Sequence, residues 1–453
     1  MSAATSFLLS LWKQPERFFL TLALLFGSLF VIITPPFAAP DEARHLRRVI
    51  DLSQDADFKK SDLPPHVQVI FSLPNEFYLA DAEQARKQIL QLQEAAQTPT
   101  AIANINAESA FNHGAIYNHI VYWPALLPVK LAMWHDYSGL NILYLARAML
   151  CIASALIIAG AIFLTPSFKS HFLLIGLLPT AVFIRGSVSA DSMTMAHIML
   201  YVALILRYSA QKTSLMRLQR LTLAGVACLI ALSKSLYFPV LLLFFALPKR
   251  LFATRKEYYV TLLWSVAFPI SLTLLWICVV AKHVGPSLSG DVINSREQIA
   301  FIFAQPITFL LTLFKSWLFY LIGWTLSAIH LVTNHRTALA ELLSFAQLIL
   351  LLMLPIGAGS CLSNRFRLFV FLLFLAICAL LITYMYVVGT PVGASWVEGV
   401  HGRYFTPIFP LLSLALCWRT APSRYDTAIM PLIIIICVLQ QASALNGILT
   451  LYY

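Results

Sequence analysis

Long apolar runs separated by short polar segments recur along nearly the whole chain. A bilayer core about 30 Å thick takes roughly 20 residues of α-helix, or a few fewer where charged flanks snorkel. On that scale the pattern predicts helices near 18–36, 141–164, 171–187, 191–209, 220–233, 236–248, 258–281, a pair within 299–333, then 338–357, 368–388, 404–417 and 427–446. Residues 116–134 are apolar but interrupted by Pro124 and Pro128, so they read as a span, a half-helix or an interfacial helix. The pattern lapses once at length, over the polar residues 37–117. Inside that stretch 81–97 has helical spacing, with Ile89, Leu90 and Leu92 apolar, which predicts a short helix on a surface.

Composition turns the pattern into a fold class. The chain has 453 residues, 59% hydrophobic and 11% charged, with mean hydropathy +0.78. A soluble domain carries about 25% charged residues, so lipid has to be the solvent of this one. The expectation is an all-α polytopic membrane protein of about 11–13 spans, forming a single integral membrane domain over 1–453 with 37–117 as an extracytoplasmic loop within it.

Charge then assigns sides. The net +11 does not point to nucleic acid, because the basic residues sit in short loops between apolar runs. Lys212, Arg217 and Arg220 mark one such loop. Lys249, Arg250, Arg255 and Lys256 against Glu257 mark a second, Arg365 and Arg367 a third, Arg419 and Arg424 a fourth. Loops rich in Lys and Arg face the cytoplasm. Walking between them puts Ser187–Asp191, Lys234, 282–298, 334–337 and 389–403 outside. It also favours a non-spanning 116–134 and a hairpin within 299–333 turning at Lys315. Residues 37–117 hold 11 of the 20 acidic residues against seven Lys/Arg, which fits an outside loop. Lys13 and Arg17 ahead of the first run make it an uncleaved span with a cytoplasmic N-terminus.

Four constellations carry candidate chemistry. Pro40-Asp41-Glu42-Ala43-Arg44-His45 follows the first span; it reads as a helix start, as a carboxylate offered to a substrate, or as both. Ser187-Val188-Ser189-Ala190-Asp191 offers Asp191, either a helix cap or a functional acid at membrane depth. Lys234 lies in an otherwise apolar run and either snorkels or meets an anion. Glu398-Gly399-Val400-His401-Gly402-Arg403-Tyr404 combines glycines, an Arg fork suited to phosphate and an aromatic platform, or is a polar turn with a belt tyrosine. His113, Tyr117, His119, Tyr122 and Trp123 add a softer aromatic signal. The spacing of His45, His113 and His119 is not that of a metal site, so no metal and no other cofactor is assigned. The seven cysteines form no C-x-x-C pair and read as small buried hydrophobes. No P-loop or dinucleotide fingerprint is present, so whatever drives a reaction has to reach the site from the membrane or the outer side.

The order of these motifs resembles the domain-of-unknown-function 2142 family of bacterial membrane proteins, over about residues 20–420. That family in turn resembles the GT-C superfamily of membrane glycosyltransferases. The resemblance implies a GT-C-like helical bundle in the bacterial inner membrane. It implies a polyprenyl-phosphate-linked sugar as donor, and a glycan or lipid as acceptor on the outer face. By that resemblance Asp41 is the general base, with Glu42 next. Lys234 and Arg403 stabilise the leaving phosphate, Asp191 positions a cation or the acceptor, and His45, His401 and Tyr404 line the site. Two other readings stay open: a transporter or flippase of lipid-linked glycans, and a non-catalytic partner in polysaccharide assembly.

Overall fold

The computed structural model describes residues 14–56, 58, 61–72, 116–283, 293–329, 338–357, 363–417 and 425–453. The expected helix over 81–97, His113 and Cys361 lie outside the described residues. Among those described, every regular element is a helix, with no strand. In chain order the longer helices are α1 (Pro15–Ile33), α2 (Glu42–Ser53), α3 (Trp123–Trp134), α4 (Gly139–Leu164), α5 (Lys169–Gly176), α6 (Pro179–Arg185), α7 (Ala190–Ala210) and α8 (Arg217–Ser233). They continue with α9 (Arg255–His283), α10 (Ser295–Ala304), α11 (Pro306–Ile329), α12 (Ala338–Gly357), α13 (Asn364–Gly389), α14 (Phe409–Leu416) and α15 (Tyr425–Tyr452).

Among the described residues, six helices are long and apolar enough to cross a membrane: α1, α4, α7, α9, α13 and Met430–Tyr452 of α15. Their side chains divide as a lipid-solvated bundle requires. In α1, Phe19, Leu22, Ala23, Phe26 and Phe30 are buried at helical spacing, while Leu25, Leu29 and Ile32 on the opposite face are exposed. Helix α7 is buried on nearly all sides and forms the centre. Several helix starts are fixed by side-chain caps. The side chains of Ser138, Ser189, Thr254 and Ser363 each accept from a backbone N–H of the first turn.

Other apolar runs are not simple spans, and each departure has a local cause. The stretch expected as one helix over 171–187 is two short helices, α5 and α6, broken at Leu177-Leu178 because Pro179 disfavours helical backbone before it. The hairpin expected to turn at Lys315 does not form. Helix α11 runs straight through Lys315, and the break lies at Gln305, where Pro306 separates α10 from α11 and the two meet at 109°. Helix α3, inside 116–134, has only 12 residues, about 18 Å at 1.5 Å per residue. Ser235–Ala246 is a 3₁₀ helix of 12 residues, which at about 2.0 Å per residue reaches roughly 24 Å. That extended form lets a run too short for an α-helical span connect two distant ends.

Contacts between helix ends define the two ends of the bundle. Glu16 and Lys169 lie 3.8 Å apart, joining the start of α1 to the start of α5. Leu215 N donates to Leu251 O at 2.8 Å, Arg250 to Gln211 O at 2.9 Å, and Arg220 pairs with Glu257. Arg367 donates to Cys417 O. These contacts form a basic end. The opposite end gathers the C-termini of α1, α8 and α13 with the N-terminus of α7, and it carries the candidate site.

Candidate functional site

The chain leaves α1 through Thr34-Pro35-Pro36 and turns sharply before α2. Asp41 occupies the N-cap position of α2 with φ 62°, a left-handed conformation that Asp tolerates better than most residues. Its side chain makes no capping bond. The turn instead aims the carboxylate away from the helix. Oδ1 accepts from Arg44 Nη1 at 3.0 Å, and Oδ2 pairs with Arg403 Nη2. Arg403 also donates to Pro40 O at 3.2 Å. Burial alone would raise the Asp41 pKa; the Arg403 guanidinium, with Arg44 beside it, outweighs burial and holds the carboxyl well below the usual carboxylate range.

Asp191 enters from another segment. Ser189 caps α7, its Oγ accepting from Asp191 N at 3.2 Å, so the Asp191 carboxylate is released from that duty. It pairs with Lys234 Nζ, at the junction between α8 and the 3₁₀ helix, and its Oδ2 lies 3.8 Å from Arg403 Nε. Lys234 therefore does not snorkel to water; it is 14% exposed and ends on a carboxylate. Two acids and two cations from four segments of the chain thus form one cluster, Asp41–Arg403–Asp191–Lys234. Opposed charges this close repay part of the cost of leaving water.

Aromatic rings wall the cluster. Lys234 Nζ lies 5.6 Å from the Tyr117 ring centre and 5.4 Å from that of Tyr404, and the Arg403 guanidinium is 5.3 Å from Tyr404. Tyr237 donates its hydroxyl to Tyr404 O at 2.7 Å, tying the 3₁₀ helix to the turn that carries Arg403. His45 is buried behind Asp41. Its ring centre lies 4.7 Å from that of Tyr117, the planes tilted by 48°, and its Nδ1 shares a 2.5 Å hydrogen bond with Tyr122 Oη. Burial, partly opposed by Asp41, pulls the His45 pKa down to about 3, which makes it a neutral wall rather than a charge. His401 is exposed at the rim, 5.6 Å from the Tyr404 ring and edge-on to it.

Glu42, adjacent to Asp41 in sequence, points elsewhere. It is 1% exposed and saturated: Arg147 approaches both oxygens at 2.7 and 2.5 Å, and the N–H groups of Phe37 and Val188 donate at 3.0 and 2.9 Å. Arg147 completes its set on the carbonyls of Val31, Thr34 and Pro35. This buried node fastens the end of α1 to the backbone just before Asp191. It sets where both cluster carboxylates stand, and it leaves Glu42 no free lone pair to face a substrate. Arg147 is absent from the candidates read from sequence. Its signal was there, as a lone cation within the apolar run 141–164.

Of the two cluster carboxylates, Asp41 is the more accessible, 24% exposed against 6% for Asp191. The arrangement offers one reachable, ionised acceptor of protons beside two cations suited to an anion. A family described as a predicted membrane protein, DUF2142, matches residues 24–412. No curated protein and no solved structure matches the chain.

Proposed function

We propose that this chain, which belongs to the DUF2142 family of membrane proteins, moves a sugar from a polyprenyl-phosphate donor to a hydroxyl of a glycan or lipid acceptor, with inversion, at the outer face of the bacterial inner membrane. The observation that carries the reading is the Asp41–Arg403–Asp191–Lys234 cluster at one end of a membrane bundle. In the proposed step the acceptor oxygen attacks the anomeric carbon while the bond from that carbon to the phosphate oxygen breaks. The acceptor proton goes to Asp41, and the electron pair leaves with the phosphate, facing Arg403 and Lys234. Asp191 holds those two cations in place. Tyr117 and Tyr404 offer ring faces to a sugar.

The resting pairs have a consequence for the base. A carboxylate held by Arg403 is a poor proton acceptor, because the cation stabilises its ionised form. A donor phosphate competes for the same guanidinium. Binding of the donor therefore restores the basicity of Asp41 at the moment it is needed, and donor binding precedes productive acceptor binding.

Charge supports the sidedness. Among the described residues of the basic end, the carboxylates Glu16 and Glu257 are paired with Lys169 and Arg220, while Lys212, Arg217, Lys249, Arg250, Arg255 and Lys256 accumulate there. By the positive-inside rule that end is cytoplasmic, with the N-terminus, and the cluster is outside. A second reading, transport of a lipid-linked glycan, draws support from the breaks at Leu177-Leu178 and Gln305, since interrupted helices are common in transporters.

The deciding experiment compares surface glycans of cells lacking the gene with cells rescued by wild type or by Asp41→Asn. The variant is expected to insert at normal levels and restore no product. Full restoration would sink the transferase. Movement of a labelled lipid-linked sugar across proteoliposomes, with its covalent structure unchanged, would establish transport instead.

A further inference from the structure

The basic end holds a surface that the proposed reaction does not use. Two loops meet there, 211–217 and 248–256, held together by Leu215 N donating to Leu251 O at 2.8 Å and by Arg250 donating to Gln211 O at 2.9 Å. Glu257 is committed to Arg220 and to Ala253 N. That leaves Lys212, Arg217, Arg255 and Lys256 exposed on these two joined loops, with no carboxylate paired to them among the described residues. Directly beside these cations stand exposed apolar side chains: Met216 at 65%, Leu218 at 73% and Tyr259 at 63%.

We propose that this patch is a docking site for the headgroup of an anionic phospholipid, with Lys212, Arg217, Arg255 and Lys256 around the phosphate and acyl chains along Met216, Leu218 and Tyr259. Cations next to a membrane-facing apolar surface match a molecule that is anionic at one end and apolar at the other. Free phosphate would satisfy the charges and leave the apolar residues bare. The cross-loop bonds hold together the two backbone segments that carry the four cations. The site lies at the end of the bundle opposite the Asp41 cluster, so it stands or falls independently of the glycosyl-transfer reading.

The test uses the purified full-length chain in neutral detergent, with native mass spectrometry to count retained lipid. Phosphatidylglycerol is expected to be retained at least about tenfold better than phosphatidylcholine, and 1 M salt should weaken that preference, because the Debye length falls to about 3 Å. The variant K212Q/R217Q/R255Q/K256Q is expected to lose the preference. Equal retention of both lipids, an unchanged preference in the variant, or displacement of the lipid by millimolar inorganic phosphate would overturn the proposal. Should the variant fail to fold, the salt series on wild type decides: a preference indifferent to salt overturns it.

Discussion

At the residue scale, adjacent residues of one motif do different work. Asp41 and Glu42 are both acids just past the first span, yet Asp41 faces two cations and a partly open cluster while Glu42 is sealed against Arg147. Breaking a buried pair by removing one partner leaves an uncompensated charge, which costs about 3–5 kcal/mol. Arg147→Met is therefore expected to lower thermal stability far more than Arg403→Gln, measured by unfolding in detergent, because Arg403 borders a site with some access to water. The Asp41–Arg403 pair predicts a labelling result. A carbodiimide, which attacks the protonated acid, should modify Asp41 slowly in wild type, faster with added phosphate, and fast without phosphate in Arg403→Gln. Labelling indifferent to all three conditions would remove the link between anion binding and basicity. His45 gives a pH dependence of definite sign. Its folded pKa of about 3 lies below the ordinary value, so between about 3 and 6.5 the unfolded chain binds a proton that the folded one does not. Stability is complete above that window and falls on acidification, by about 1.4 kcal/mol per pH unit from this group. A His45→Gln variant should show a flatter profile between pH 6 and 4.

At the element scale, caps and close approaches decide where charged groups arrive. Ser189 caps α7 and so spares the Asp191 carboxylate for Lys234. Ser189→Ala is expected to cost about 1 kcal/mol and to let Asp191 compete for the vacant cap, read as weakened phosphate binding alongside the stability loss. Helix α1 meets α4 at Gly27, where an added Cβ would lie 2.5 Å from Cys151 Sγ. Gly27→Val should therefore lower the unfolding temperature, whereas Gly225→Ala, on an open face of α8, should not. The 3₁₀ helix Ser235–Ala246 works by length. It reaches from the Lys234 junction to the basic end with few residues, and Tyr237 at its start braces the turn that holds Arg403.

At the scale of the molecule, the bundle has one mixed-charge end and one basic end, and a sidedness test follows. In a background without native cysteines, Glu398→Cys and Thr213→Cys, both exposed, should be labelled by an impermeant thiol reagent from opposite faces of the membrane. Labelling of both from the same face would contradict the bundle's polarity. The sequence by itself determined that the chain is helical and lipid-solvated, and where most long helices lie, because burial in a bilayer demands uninterrupted apolar length and that demand is written locally. It also singled out Asp41, Asp191, Lys234 and Arg403, because an ionised side chain in or beside a membrane run stands out against its neighbours. It ranked Asp41 ahead of Glu42 by resemblance alone, without the contacts that seal Glu42, and it missed the service of Arg147. Local spacing placed a turn at Lys315 and a continuous helix over 171–187, where proline geometry at 306 and 179 put the breaks elsewhere. Only the tertiary structure decided which acid meets which cation. Ion pairing depends on distances across segments up to 362 positions apart, and no pattern along one segment carries that distance.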